Sequence, residues 1–185
     1  MAIASDGDGS PPIIRNKNHV LVKGYGRKST PAKAQYAPLW NWVYEHAVCF
    51  SELRQQWSAS VGVYGEWIYA EHTLRYDLAP SDFIAYEVYV PGKGFVNARL
   101  ARASLEEAGF LIPDLHTNSV RSYAQLEALT QLASPWSSCD RREGVMVKVS
   151  EGEVLLHRFK MRREDFRPRE DFNDGPIRRN RRKAG

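Results

Sequence analysis

Cysteine is scarce: Cys49 and Cys139 are the only two in 185 residues. Two distant thiols make no disulfide framework, so a reducing, cytoplasmic setting is expected. No apolar run approaches the ~20 residues of a membrane span. The first twelve residues are small and acidic, without the apolar stretch of a signal peptide. The five histidines, His19, His46, His72, His116 and His157, share no ligand spacing with each other or with the cysteines, which argues against a zinc site. No internal repeat interrupts the chain. What remains is 43% hydrophobic and 11% aromatic, with five Trp: enough for one domain with a real core and too little for two large ones.

Charge is unevenly spread. The whole chain carries 26 Lys or Arg against 22 Asp or Glu. From Arg158 onward there are eleven basic and five acidic residues, so the body is slightly acidic and the C-terminus strongly basic. Residues 167–185 read as a basic, disordered tail, and Arg178-Arg179-Asn180-Arg181-Arg182-Lys183 suits contact with a polyanion, because neutralised phosphates release counterions.

In chain order, Asp6-Gly7-Asp8-Gly9 opens with turns. Ile13-Ile14-Arg15 and His19 to Lys23 read as a hairpin. Gly24 to Ser29 is a flexible basic segment, where glycine would admit a ligand and Arg27 and Lys28 supply charge. Apolar spacing predicts a helix over 38–57, strands over 60–69 and 82–90, an amphipathic helix over 97–108 closed by Gly109, and a second over 122–132. Gly65 beside Glu66 in an apolar strand suggests either close approach of a ligand or a β-bulge. Glu87 is an isolated charge in a strand that otherwise reads as buried.

The last hairpin is the densest in chemistry. Glu143-Gly144-Val145-Met146-Val147-Lys148 alternates as a strand, Glu151-Gly152-Glu153 turns, and 155–162 returns with Lys160 and Arg162 on one face. One carboxylate and three cations then converge, as a metal-bound anionic ligand requires. A solvated hairpin with ordinary surface charges fits those residues equally well.

Taken together, the segments resemble the covalent nucleotidyltransferases, and among them the ATP-dependent RNA ligase family with its phage relatives, over about residues 6–166. Val63-Tyr64-Gly65-Glu66-Trp67 is similar to the family's third motif and Phe83-Ile84-Ala85-Tyr86-Glu87 to the next. Glu143 to Lys148 is similar to the fourth, and Lys160-Met161-Arg162 to the fifth, usually Lys-x-Lys. The resemblance implies an α+β, ATP-grasp-like ligase domain over 1–166, built of two antiparallel sheets flanked by helices. It implies ATP and magnesium as cofactors and nucleic-acid ends, RNA or DNA, as partners. It further implies that Asp8, Gly9 and Arg27 touch the nucleotide, Glu66 binds its ribose, Tyr86 stacks on its base, and Glu143 holds the metal. Lys148, Lys160 and Arg162 would neutralise charge on the α-phosphate.

One departure matters most. The first motif is Lys-x-Asp-Gly, whose lysine is the nucleophile. Counting back from Asp8 reaches Asp6, which would repel a triphosphate. Lys17 and Lys23 are weak substitutes, since both fall on the predicted hairpin. The strand that precedes this motif in the family is expected to be missing, as is the family's additional domain. Three readings follow: a ligase with a doubtful first step, a sealing enzyme that uses ends already adenylated, or an inactive module that binds a nucleotide or a nucleic-acid end.

Overall fold

The structure, a computed structural model, describes residues 1–5, 12–17, 19–21, 34–116, 119–138, 140–167 and 178–180. Its main sheet has six antiparallel strands, β1 (Ala2–Ser5), β2 (Ile13–Arg15), β3 (Val20–Leu21), β4 (Val61–Trp67), β5 (Phe83–Val90) and β6 (Gly94–Phe95), in the spatial order β3-β2-β1-β4-β5-β6. A second, two-stranded sheet pairs β7 (Gly144–Glu151) with β8 (Val154–Arg162). Among the described residues there are four helices, α1 (Leu39–Glu45), α2 (Ala47–Trp57), α3 (Ala98–Glu107) and α4 (Tyr123–Thr130).

The core lies on one face of the large sheet. Leu39, Trp42, Phe50 and Leu53 of α1 and α2, with Ala101 and Leu105 of α3, pack against Ile3, Val63, Phe83 and Val88. Expulsion of water from these side chains is the main force holding helices to sheet. The single helix expected over 38–57 is broken at His46, whose dihedrals (φ −105°, ψ 19°) leave the helical region. The His46 ring stacks on Trp42 at 4.1 Å and bonds the Trp42 carbonyl at 2.8 Å, alongside the His46 N–H, which also donates to that carbonyl at 3.1 Å. A second difference lies at the start. The missing strand is present: β1 sits inside the large sheet, with Ile3 opposite both Ile14 and Val63.

Alternation along β5 slips where it matters. Phe83 and Ala85 face the core, as do Val88 and Val90, which cannot hold for a regular strand of period two. The register explains it. Tyr64 pairs with Glu87 and Gly65 with Ala85, leaving Tyr86 as the extra residue of a β-bulge. Tyr86 and Glu87 therefore both turn away from the core, toward the second sheet. Gly65 is the bulge's counterpart for a packing reason. A Cβ there would lie 2.3 Å from Phe83 Cζ and 2.4 Å from the Ile84 carbonyl oxygen, so the close approach is by the neighbouring strand and ring.

The second sheet is pinned to the rest of the fold at its β7–β8 turn. Asn97 caps α3 through the Arg99 N–H (2.9 Å), while its amide donates to the Gly152 carbonyl (2.8 Å) in the β7–β8 turn. The Asn97 N–H also donates to the Glu153 carbonyl (2.7 Å), and Val96 bridges Val154. At the root, Arg163 N–H donates to the Glu143 carbonyl at 2.9 Å. Three residues of the expected tail also belong to the folded body, because Arg179 bridges Ala70 and Asn180 is buried.

Candidate nucleotide cleft

Between the two sheets lies a cleft of about 410 Å³. Glu66 enters from β4, Tyr86 from the bulge of β5, and Met146 and Lys160 from the second sheet; Lys17, Gln35 and His72 close it from loops. Of the residues singled out from sequence, Glu66, Tyr86 and Lys160 line it directly. Glu143 and Arg162 join through Lys160: one Glu143 oxygen accepts from Lys160 Nζ at 2.7 Å and from Arg162 Nε at 2.9 Å. Gly144 lets β7 and β8 run this close, since a Cβ there would meet the Met161 carbonyl oxygen at 2.0 Å.

Lys148 stands behind the cleft wall. Its Nζ donates to the Tyr86 carbonyl and lies 5.5 Å from the centre of the Tyr86 ring, a cation against an aromatic face. Glu87 holds it from below at 3.7 Å and also bonds Arg158, whose guanidinium covers the Phe95 ring at 4.8 Å. Glu87 is only 1% exposed. A carboxylate so deeply placed survives because two cations face it. Burial lowers the Lys148 pKa, and Glu87 opposes that shift. Sequence reasoning noted the charge of Glu87 within a buried strand but gave it no part in the site, and Arg158 was passed over. The signal for Arg158 was its parity with Lys160 and Arg162 along β8.

Glu66 is open to the cleft yet ringed by protein, and the loss of bulk water raises its pKa; Lys160 opposes the rise and Glu143 adds to it. A carboxyl raised above its unfolded value is stabilising to the fold below that unfolded value, and the benefit is lost as pH climbs through the folded value. At neutral pH the ionised form is therefore a burden on the fold. Glu66→Gln is expected to raise the thermal midpoint at pH 7 and to change it little at pH 4, while weakening nucleotide binding; paired melting curves at the two pH values check the first part.

Asp8, Gly9 and Arg27 lie outside the described residues, as does Lys23. Ser5, the residue before Asp6, pairs with Val61, at the end of β4 away from Glu66, whereas Met1 bonds Gly65. Of the substitute lysines, Lys17 does reach the cleft wall. Among the described residues no three His, Cys, Asp or Glu converge as a metal cage.

A mixed α and β chain with antiparallel sheets, and a cleft that sets an aromatic ring and carboxylates beside cations, is compatible with a ligase domain. The family model for RNA ligase matches residues 11–162, and the chain belongs to that family. Comparison with curated proteins and with solved structures finds no match. No helix among the described residues is long and apolar enough to cross a membrane.

Proposed function

We propose that this chain is an RNA ligase-like nucleotidyltransferase that binds ATP with magnesium and joins a 5′-phosphate to a 3′-hydroxyl nucleic-acid end through adenylate intermediates. The observation that carries this reading is the meeting of Glu66, Tyr86 and Lys160 from three separate strands in one cleft. Tyr86 offers a ring for the base, and its bulge keeps that ring out of the core. Glu66 offers acceptor oxygens to the ribose hydroxyls. Lys160 and Arg162 supply positive charge where the α-phosphate would sit, with Lys148 supporting Tyr86 from behind and adding its field.

Magnesium is usually carried by one or two carboxylates together with substrate phosphates. Glu143 is the carboxylate placed for it, in competition with Lys160 and Arg162. When bound, the ion would neutralise phosphate charge. The chain's own residues orient the nucleotide and hold its α-phosphate in place for attack.

On the reading that Asp8-Gly9 belongs to the first motif, Asp6 stands where the family carries its nucleophilic lysine. Self-adenylylation of this chain is therefore expected to be faint, while sealing of a supplied adenylated end, which needs no lysine nucleophile, is retained. Incubation with a 5′-adenylated strand and a 3′-hydroxyl acceptor, followed by a denaturing gel, tests this. A joined product supports the ligase reading. Failure to join over long incubation, with nucleotide still bound, favours an inactive binding module, the reading that Asp6 suggests.

A further inference from the structure

The register of β1 decides which parts of the chain reach the cleft. Its partners β2 and β4 both run antiparallel to it, and so parallel to each other. Ala2 stands opposite Arg15 on one side and Tyr64 on the other, which sets Arg15, Ala2 and Tyr64 in one row across three strands. The neighbouring row, Ile14, Ile3 and Val63, is fully buried in the core. Alternate residues change faces, so the Arg15 row lies on the opposite face, the one from which Glu66 meets the cleft.

Glu66 follows Tyr64 by two residues, and Lys17 follows Arg15 by two residues in the same direction along the sheet. Adjacent strands lie about 4.8 Å apart, so β2 and β4 are separated by roughly 10 Å, a gap that a flexible four-carbon lysine stem goes far to cross. Lys17 lines the cleft together with Glu66 and Lys160. Ser5, by contrast, pairs with Val61 and leaves β1 roughly 10 Å from the Ala2 row at ~3.3 Å per residue, on the side away from Glu66.

The lysines around the cleft also differ in what holds them. Lys160 Nζ is bound by Glu143 at 2.7 Å, and Lys148 Nζ donates to the Tyr86 carbonyl with Glu87 at 3.7 Å. Lys17 is exposed, and among the described residues its amine has no hydrogen-bond or ion-pair partner. Its backbone is nevertheless fixed, because the Asn16 N–H donates to the His19 carbonyl at 3.0 Å and the His19 N–H donates to Asn16 Oδ1 at 2.7 Å. An uncommitted amine on a fixed turn at the cleft wall is what a nucleophile requires.

We propose that Lys17 is the nucleophile in the self-adenylylation this chain performs. This rests on the ligase reading above. Lys17 Nζ, after losing a proton to water, forms a bond to the α-phosphorus of ATP. The bond from that phosphorus to the bridging oxygen breaks, and pyrophosphate leaves with the electron pair. Lys160 offsets charge on the α-phosphate oxygens. In the transfer step an oxygen of the strand's 5′-phosphate attacks the same phosphorus, and the amine departs and takes up a proton from water. A side chain reaching in from an exposed turn has no pre-set line of attack, which keeps the first step slow.

The test incubates the full chain with magnesium and ATP labelled at the α-phosphate, over long times, and resolves the products on a denaturing gel. A faint covalent band is expected in the parent. Digestion of that band without acid, which would break a phosphorus–nitrogen bond, should place the adduct on Lys17 by mass spectrometry. Lys17→Arg should lower the band at least twentyfold with an unchanged thermal midpoint, and Lys23→Arg should keep it. An adduct mapped to another residue, or a band that survives in Lys17→Arg, overturns the proposal. A parent that joins a supplied adenylated end but gives no band overturns the proposal and leaves the ligase reading in place. A parent that gives no band, joins no adenylated end and binds no ATP overturns both.

Discussion

Lys160→Ala is expected to slow sealing of an adenylated end by a factor of 10²–10³, about 3–4 kcal/mol of transition-state stabilisation. In sealing, the 3′-hydroxyl attacks the strand's 5′-phosphorus and AMP departs, so charge builds on the α-phosphate of the leaving AMP, where a cation fixed beside it stabilises the leaving group. Lys160 is suited to this. It lines the cleft and is held by Glu143 at 2.7 Å, and its side chain is 41% exposed, so its loss costs the fold little. The deficit should appear in the rate at saturating strand, with binding of the nucleotide only mildly weakened. Lys160→Arg should recover part of it, since charge is kept while a point donor becomes a planar fork. Single-turnover sealing assays with the three proteins check this; a change under threefold in Lys160→Ala would remove Lys160 from the proposed chemistry.

Glu87→Gln should be the most damaging single change to the fold among the residues around the cleft. Its carboxylate is 1% exposed and faces Lys148 and Arg158. Neutralising it leaves two cations facing each other, and breaking such a buried arrangement costs about 3 kcal/mol. For a chain of this length that corresponds to a fall of roughly 6–12 °C in thermal midpoint. The sign of the pH dependence follows from Lys148. Burial already lowers its pKa, and loss of Glu87 removes the opposing pull. The variant therefore suffers most where Lys148 must stay protonated, and the deficit narrows as pH rises and the amine discharges. Glu87→Gln combined with Arg158→Gln should be less harmful than the sum of the two single changes, because the partners form one network. Melting curves at pH 7 and pH 9.5 for the parent and the three variants measure all of this.

Much of the arrangement was legible in the sequence, and the parts that were not have identifiable causes. The β7–β8 hairpin could be read because alternation and a central Gly152 turn fix its register, and that register alone placed Lys160 and Arg162 on one face. Glu66 and Tyr86 could be placed on strands because short apolar runs rich in β-branched and aromatic residues surround them. The bulge was legible only as one of two possibilities for Gly65, because the deciding contact, with Phe83 and Ile84, comes from a strand about twenty residues away. β1 was missed since a four-residue strand without a charged or turn-forming neighbour on its N-terminal side carries no periodicity to detect. The break at His46 depends on a ring stacking over Trp42, which apolar spacing does not encode. Arg178–Asn180 looked like a solvated charge run, and its one uncharged residue turned out to be the part that holds it down.

Position in the cleft also sharpened the roles expected of the cations. Lys148, Lys160 and Arg162 are equivalent when read along the chain. In space they differ: Lys160 lines the cleft, Arg162 shares a Glu143 oxygen with it, and Lys148 sits behind Tyr86 in the grip of Glu87. Substitution at Lys148 is thus expected to disturb Tyr86 as well as the field at the phosphate.

The central claim is that strands from both sheets build one nucleotide site, and a crystal structure of the chain with a non-hydrolysable ATP analogue and magnesium tests it most directly. The account predicts the base against Tyr86, the ribose at Glu66 and the α-phosphate beside Lys160. An analogue bound with its base away from Tyr86 and its phosphates away from Lys160, or no binding at millimolar nucleotide, would contradict it.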